Sequence, residues 1–268
     1  MENLFQAAKQ CIAASNIEEK LALTRKTYAA LTAGELDVEN NLPPEPIAAP
    51  GRPEKPELVP SRQLPRRRMG SPTGSASMLH SFVHIEFNAI NLAWDAVYRF
   101  RGMPRDYYTD WARVAAEEAI HFDLLRKHLI SLGYEYGDFV AHDGLWSVAK
   151  DTAHDVLVRM AVVPRVLEAR GLDVTPSIIE RFRDNGDEKA AQILEIILQD
   201  EIGHVEIGTR WYAYICAQRG LDREATFERM INDYVKERIK GPLHIEARKK
   251  AGFNVKEIAF LNQLISQR

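Results

Sequence analysis

The sequence predicts an all-α protein, and three observations carry that reading. Apolar residues recur at three- and four-residue spacing through four long stretches. Strand-like alternation is almost absent, and turn-forming clusters such as RGMPRD, GYEYGD and DNGDE separate the stretches. Four helices with one apolar stripe each bury those stripes by facing one another, which is the arrangement of a four-helix bundle. At 268 residues and 46% hydrophobic content, the chain is long and apolar enough for a sizeable core.

The elements follow in order. Residues 1–40 form an N-terminal helical segment, because 2–33 are rich in Ala, Leu, Lys and Glu at helical spacing and predict one or two short helices. Residues 41–75 form a proline-rich arm or linker. From Pro43 to Pro72 the prolines fix φ and remove donors, so neither a helix nor a central strand forms there. The bundle takes residues 76–220, with helices expected over 77–101, 107–132, 145–170 and 187–218; RGLD after Glu168 reads as the end of the third. Residues 221–268 are a C-terminal extension with helices expected over 224–239 and 255–266.

Charge and cysteine usage narrow the function classes. A formal charge of -3 argues against a surface built wholly for nucleic acid. The run RQLPRRRMG at 62–70 gathers four Arg that could meet phosphate, but no aromatic residue interleaves with them to stack on bases, so nucleic acid stays a minority partner. Cys11 and Cys216 have no paired spacing, which fits a reducing compartment. No stretch reaches the roughly 18–20 apolar residues of a membrane span, and the start lacks a signal-peptide pattern, so a cytoplasmic protein with no membrane partner is expected.

The seams of the four helices carry the chemistry. Leu79, Val83, Ile90 and Val97 mark the first seam, with Glu86 on it; Trp111, Val114, Phe122 and Leu125 mark the second, with Glu118 and His121. Leu157, Met160, Ala161 and Pro164 lead along the third to Glu168, and Leu194, Ile197, Val205 and Tyr212 enclose Glu201 and His204 on the fourth. Two helices thus give one Glu each, and the other two give Glu-x-x-His, EAIH and EIGH. Residues at i and i+3 project from one side of a helix, so each motif presents a carboxylate and an imidazole to a common centre. An unpaired buried charge costs several kcal/mol or more, so acids in an apolar seam call for something to bind. Six ligands of this kind, in the repeated order Glu then Glu-x-x-His, are the set that holds two iron ions, or two manganese, inside a bundle.

On these residues the chain resembles the ferritin-like superfamily of di-iron carboxylate proteins. The stretches HIEFNAINLAWDAVYRF, AHDGLW and RMAVVPRVLEARGLD are similar to its DUF455 subgroup, which is related to the tRNA hydroxylase MiaE. The resemblance covers roughly residues 70–255 and implies Glu86, Glu118, His121, Glu168, Glu201 and His204 as metal ligands; the proline arm lies outside the minimal ferritin-like unit.

Other residues have blander readings. Glu117 and Asp200 lie four before each motif His, where a carboxylate takes the free imidazole N–H, and a solvated rim charge is the alternative. His80 and His84 share a face turned away from Glu86 and read as surface or packing residues; Asp143 reads equally as an N-cap or a catalytic group; Glu206 reads as solvated or paired with an Arg. Walker loops, dinucleotide fingerprints and nucleophile elbows are absent.

The expected function is a di-iron or di-manganese oxidoreductase that activates O2 as an oxygenase or oxidase, with an organic small molecule or modified nucleoside as substrate and an external electron donor. The alternatives are ferroxidase, iron-handling or peroxide-removing activity, a tRNA-modifying hydroxylase similar to MiaE, and a bundle with structural metals. No catalytic residue beyond the metal ligands is required, and a homodimer is the oligomer to test for. A substrate pocket is expected from Phe82, Ile90, Phe122, Met160, Ile197 and Gly208, the last leaving space by its missing side chain.

Overall fold

Helices take most of the described residues, which in the computed structural model are 2–39, 43–65 and 69–267. The strands among them are two-residue pieces, β1 (Glu2–Asn3) and β2 (Leu36–Asp37), paired in parallel with Glu2 opposite Leu36. The chain divides into two compact units, Met1–Lys150 with Asn185–Ile193, and Asp151–Asp184 with Leu194–Arg268.

In the first unit the helices are α1 (Leu4–Ala13), α2 (Ile17–Thr32), α3 (Pro72–Arg99), α4 (Arg105–Ser131) and α5 (Gly144–Asp151). Their starts follow from side-chain caps: Asn3 accepts from Phe5 and Gln6 N–H, Asn16 from Glu19, and Ser71 from Gly74. Helix α4 stops where Gly133 takes a left-handed φ of 85°. Helices α3 and α4 pack on each other, α1 lies on α3, and α2 lies on α4. Trp94 is fully buried and donates its Nε1–H to Thr24 Oγ1 at 3.0 Å, which ties α3 to α2. Lys20 Nζ is also buried and donates to Cys11 O at 2.7 Å, Ile12 O at 3.0 Å and Asn91 Oδ1 at 2.7 Å, so it caps the end of α1. Burial weakens the charged form there, and the Lys20 pKa is pulled down to about 7.

Over 43–65 the proline-rich arm is extended, as expected, apart from one 3-10 turn at Ser61–Gln63. Its expected last residues, Pro72–Ser75, instead form the first turn of α3, where a proline at the start of a helix loses no bond. The arm is a strap rather than a loose linker. Glu45 N–H donates to Tyr98 Oη at 2.9 Å, Ala48 O accepts from Trp146 Nε1 at 3.2 Å, and Gly51 N–H donates to Ile12 O at 2.8 Å. Further on, Val59 N–H and Ala141 N–H exchange bonds with Ala141 O and Glu57 O at 2.8 and 2.9 Å. Gly51 marks the tightest approach: a Cβ there would lie 2.0 Å from Ala13 O and 2.7 Å from Ala14 C. Because neither backbone can yield cheaply, Gly51→Ala is expected to cost about 1–3 kcal/mol and to expose the arm. Limited proteolysis reads this out, and cleavage within 43–59 no faster than in the wild type would show that the strap is not pinned there.

The second unit corrects the expected third helix. Instead of one helix over 145–170, α5 ends at Asp151 and the chain turns through Thr152–Asp155. Asp155 then caps α6 (Val156–Val162) by accepting from Leu157 N–H at 2.8 Å. A π-helical segment (Val163–Glu168) follows, and α7 (Ala169–Asp184) runs past RGLD because Gly171 keeps an ordinary helical sense. Helix α8 (Glu188–Gln218) falls where expected. The expected helix over 224–239 is α9 (Arg223–Met230) continued by a π turn and a 3-10 turn; α10 (Ile245–Lys250) was not foreseen, and α11 (Val255–Ser266) matches.

This unit is built around Arg165, which is fully buried with Nη2 2.7 Å from Glu257 Oε1. Its guanidinium carbon sits 4.5, 4.1 and 4.6 Å from the ring centres of Tyr212, Phe227 and Phe253. Among the described residues, no helix is long and apolar enough to cross a membrane.

Candidate metal centre

In the first unit, one turn of α3 and one turn of α4 supply Glu86, Glu118 and His121, all buried. Each offers a ligand atom, and those atoms lie within 4.8 Å of one another. His121 Nδ1 is 3.2 Å from Glu118 Oε2 and 3.7 Å from Glu86 Oε2. Burial first, and then the adjacent Glu118 charge, push the Glu86 carboxyl well above the usual carboxylate range. Burial opposes charge on His121 as well, but hydrogen bonding to Glu118 and Glu86 outweighs it, and the imidazole pKa is pushed up to about 11.

Glu86 and His121 therefore hold protons where a cation would otherwise sit. Two carboxylates and one imidazole, enclosed and converging, are hard N/O donors of the type that suits Fe(II) or Mn(II), so these residues fit a divalent ion.

In the second unit, α8 carries the other Glu-x-x-His. His204 Nδ1 lies 3.4 Å from Glu201 Oε1, with His204 buried and Glu201 14% exposed at its side chain. The contact within this motif repeats the one between His121 and Glu118. Glu168 is half-buried at the last residue of the π segment, with Oε2 shielded from solvent. Glu117 and Asp200 are both half-buried.

The expected pocket residues divide. Ile90, Phe122 and Met160 are fully buried, Ile197 is buried and Phe82 half-buried. Gly208 requires a correction, because the ring of Pro164 occupies the space that its missing side chain leaves. A Cβ at Gly208 would lie 2.2 Å from both Pro164 Cβ and Cγ. Gly208 admits a neighbouring element, not a substrate.

His80 and His84 are packing residues, both buried. Gly137 N–H donates to His80 Nε2 at 2.9 Å; Tyr136 Oη lies 2.9 Å from His84 Nδ1, and His142 O lies 3.0 Å from His84 Nε2. A carbonyl only accepts, so His84 carries its proton on Nε2 and Tyr136 donates to Nδ1. Burial pulls both imidazoles down to about 4. Sequence reasoning missed Tyr136 and Asn88, which donates to His84 O at 2.8 Å; an Asn one turn after His84 was the available signal.

Three more histidines and Glu206 have local partners. His142 Nδ1 accepts from Gly144 N–H at 3.0 Å beside Asp143, and His154 meets Tyr234 Oη at 3.1 Å. His244 caps α10, and Glu206 pairs with Arg210 at 3.4 Å. Arg66, Arg67 and Arg68, three of the four arginines in the basic run, lie outside the described residues.

A family profile described as protein of unknown function (DUF455) matches residues 13–259. A Haemophilus influenzae protein, described as uncharacterized, is 42% identical over 272 residues, spanning 97% of this chain and 94% of that protein. No solved structure matches the chain.

Proposed function

The chain belongs to the DUF455 family, and from that premise and its buried carboxylate–imidazole set we propose a di-iron or di-manganese carboxylate protein that oxidises an organic substrate with O2. On this reading the helices form a ferritin-like four-helix bundle. Glu86 and Glu168 provide one ligand each, and Glu118 with His121 and Glu201 with His204 provide the rest. The observation that carries the reading is the convergence of Glu86, Glu118 and His121, three buried ligand groups with ligand atoms within 4.8 Å. The same Glu-x-x-His contact in each unit, 3.2 Å in one and 3.4 Å in the other, supports the second half of the set.

When bound, the ions supply redox chemistry on O2. The four carboxylates neutralise the ions, and the two imidazoles fix the donor set. Glu117 and Asp200 take the free imidazole N–H groups and so set tautomer and orientation. On this reading, buried apolar side chains such as Ile90 and Phe122, on the helices that carry Glu86 and His121, would exclude water from the reacting centre. The substrate is a small organic molecule or a modified nucleoside, the latter on the likeness to the tRNA hydroxylase MiaE. Electrons come from a separate donor. Both cysteines are free, which supports a cytoplasmic setting.

Metal analysis of the purified protein beside Glu118→Ala and Glu201→Ala tests the reading, followed by anaerobic Fe(II) loading and exposure to O2. Two ions per chain that are lost in both variants, with O2 consumed and no iron taken up beyond two, are expected. Iron uptake far beyond two per chain would move the protein to iron handling, and no bound ion in the wild type would sink the metal reading.

A further inference from the structure

We infer that Pro164 and Gly208 form an interlock whose task is to set the direction of Glu168; this rests on the metal reading above. The helix changes type at Pro164. Val163 N–H still donates four residues back, to Arg159 O, whereas Ala169 N–H donates five residues back, to Pro164 O. Proline has no N–H, so the bond that would continue an α-helix through residue 164 cannot form, and the segment Val163–Glu168 widens to π spacing. A π turn holds one extra residue. Every later side chain is then displaced by about one residue's rotation, about 100°, from where an unbroken α-helix would aim it. Glu168 is the last residue of that segment, so its aim depends on the widening more than any other candidate ligand's does.

The widened segment needs room, and α8 gives it. Gly208 lies four residues after His204, on the same face of α8, and the Pro164 ring is seated against it, with its Cβ and Cγ each 2.2 Å from where a Gly208 Cβ would be. The stiff ring cannot move aside as the end of a long side chain can. Elsewhere in α8, Gly203 has nothing within 4 Å of such a Cβ, so the close approach is particular to Gly208. The interlock therefore seats the Glu168 segment against the face of α8 that bears His204. Pro164 and Gly208 are positioning residues; neither offers a ligand atom.

The test counts Mn(II) ions per chain by equilibrium titration with spin-resonance detection, beside melting temperature, for the wild type, Glu118→Ala, Glu168→Ala, Pro164→Ala and Gly208→Ala. Pro164→Ala regains an N–H and lets the segment wind as an α-helix. It is expected to show the defect of Glu168→Ala, a fall from two ions to one or at least tenfold weaker binding of the second, with little change in melting temperature. Gly208→Ala, which forces the ring away, is expected to show the same ion-binding defect together with a lower melting temperature, and it decides the matter if Pro164→Ala does not fold. Wild-type binding of both ions in Pro164→Ala and Gly208→Ala would overturn the interlock while the Glu118→Ala loss kept the metal reading standing. A wild type with no ions overturns both.

Discussion

Glu118→Gln is expected to abolish ion binding and, in the ion-free protein, to raise the melting temperature. Glu86 and Glu118 are buried together, and the Glu118 charge adds to the burial that drives the Glu86 carboxyl well above its usual range. Gln keeps the shape of Glu118 and an acceptor oxygen for His121 Nδ1, now 3.2 Å away, but removes the like charge. Glu86, 3.7 Å from His121 Nδ1, then becomes the carboxylate partner of that imidazole. Relief of the repulsion is expected to stabilise the protein by about 1 kcal/mol, an increase of about 2–4 °C for a chain of this size. A network evolved for stability gives the opposite sign, since deleting a partner from a satisfied buried set costs about 1–3 kcal/mol. Differential scanning calorimetry after chelation measures this, and a lower melting temperature in Glu118→Gln would reassign the cluster to structure.

The sequence pattern and the structure agree best where helical periodicity is long and its ends carry their own signals. The expected helices over 107–132 and 187–218 are Arg105–Ser131 and Glu188–Gln218, and left-handed glycines follow both, Gly133 and Gly220. The third helix was misread for a physical reason. Glycine and proline stop helices only when the backbone uses their special freedom. Gly171 does not take a positive φ, and Pro176 sits inside α7 with the helix continuing around it. The true break at Thr152–Asp155 carried a legible sign, an Asp immediately before the apolar run VLVRMAVV, but the periodicity on both sides masked it.

The site was legible to the depth that a single helix can encode. Glu118, His121 and His204 were placed on buried faces by spacing alone, and all three are buried. What a second element does cannot be read from the first. Gly208 looked like an empty place because its occupant, Pro164, is 44 residues away in sequence. His80 and His84 looked idle because their partners come from the loop over 136–142. The arm's path is likewise fixed by backbone bonds to Ile12, Tyr98, Ala141 and Trp146, which proline content says nothing about.

Those two histidines carry the second large prediction, an acid lability of the first unit that depends on neither metal nor substrate. Both imidazoles are buried and neutral. In His80 the lowering comes from burial and then from His84; in His84 it comes mainly from burial, and both pKa values fall to about 4 from an ordinary 6.5. Protonation would also turn His80 Nε2 from an acceptor of the Gly137 N–H, at 2.9 Å, into a competing donor. Between pH 6.5 and 4 the unfolded chain therefore binds more protons than the folded one, so stability falls as pH falls. The contribution is complete above pH 6.5 and gone below 4. Each ring is worth about 3 kcal/mol over that range, so the pair removes on the order of 6 kcal/mol, comparable to the whole stability of many domains. Urea unfolding at pH 7 and pH 4.5, compared with a His80→Gln, His84→Gln double variant, isolates the pair from the carboxylates common to both proteins. The double variant is expected to be less stable at pH 7 and to lose much less on acidification, whereas parallel losses would place the acid sensitivity elsewhere.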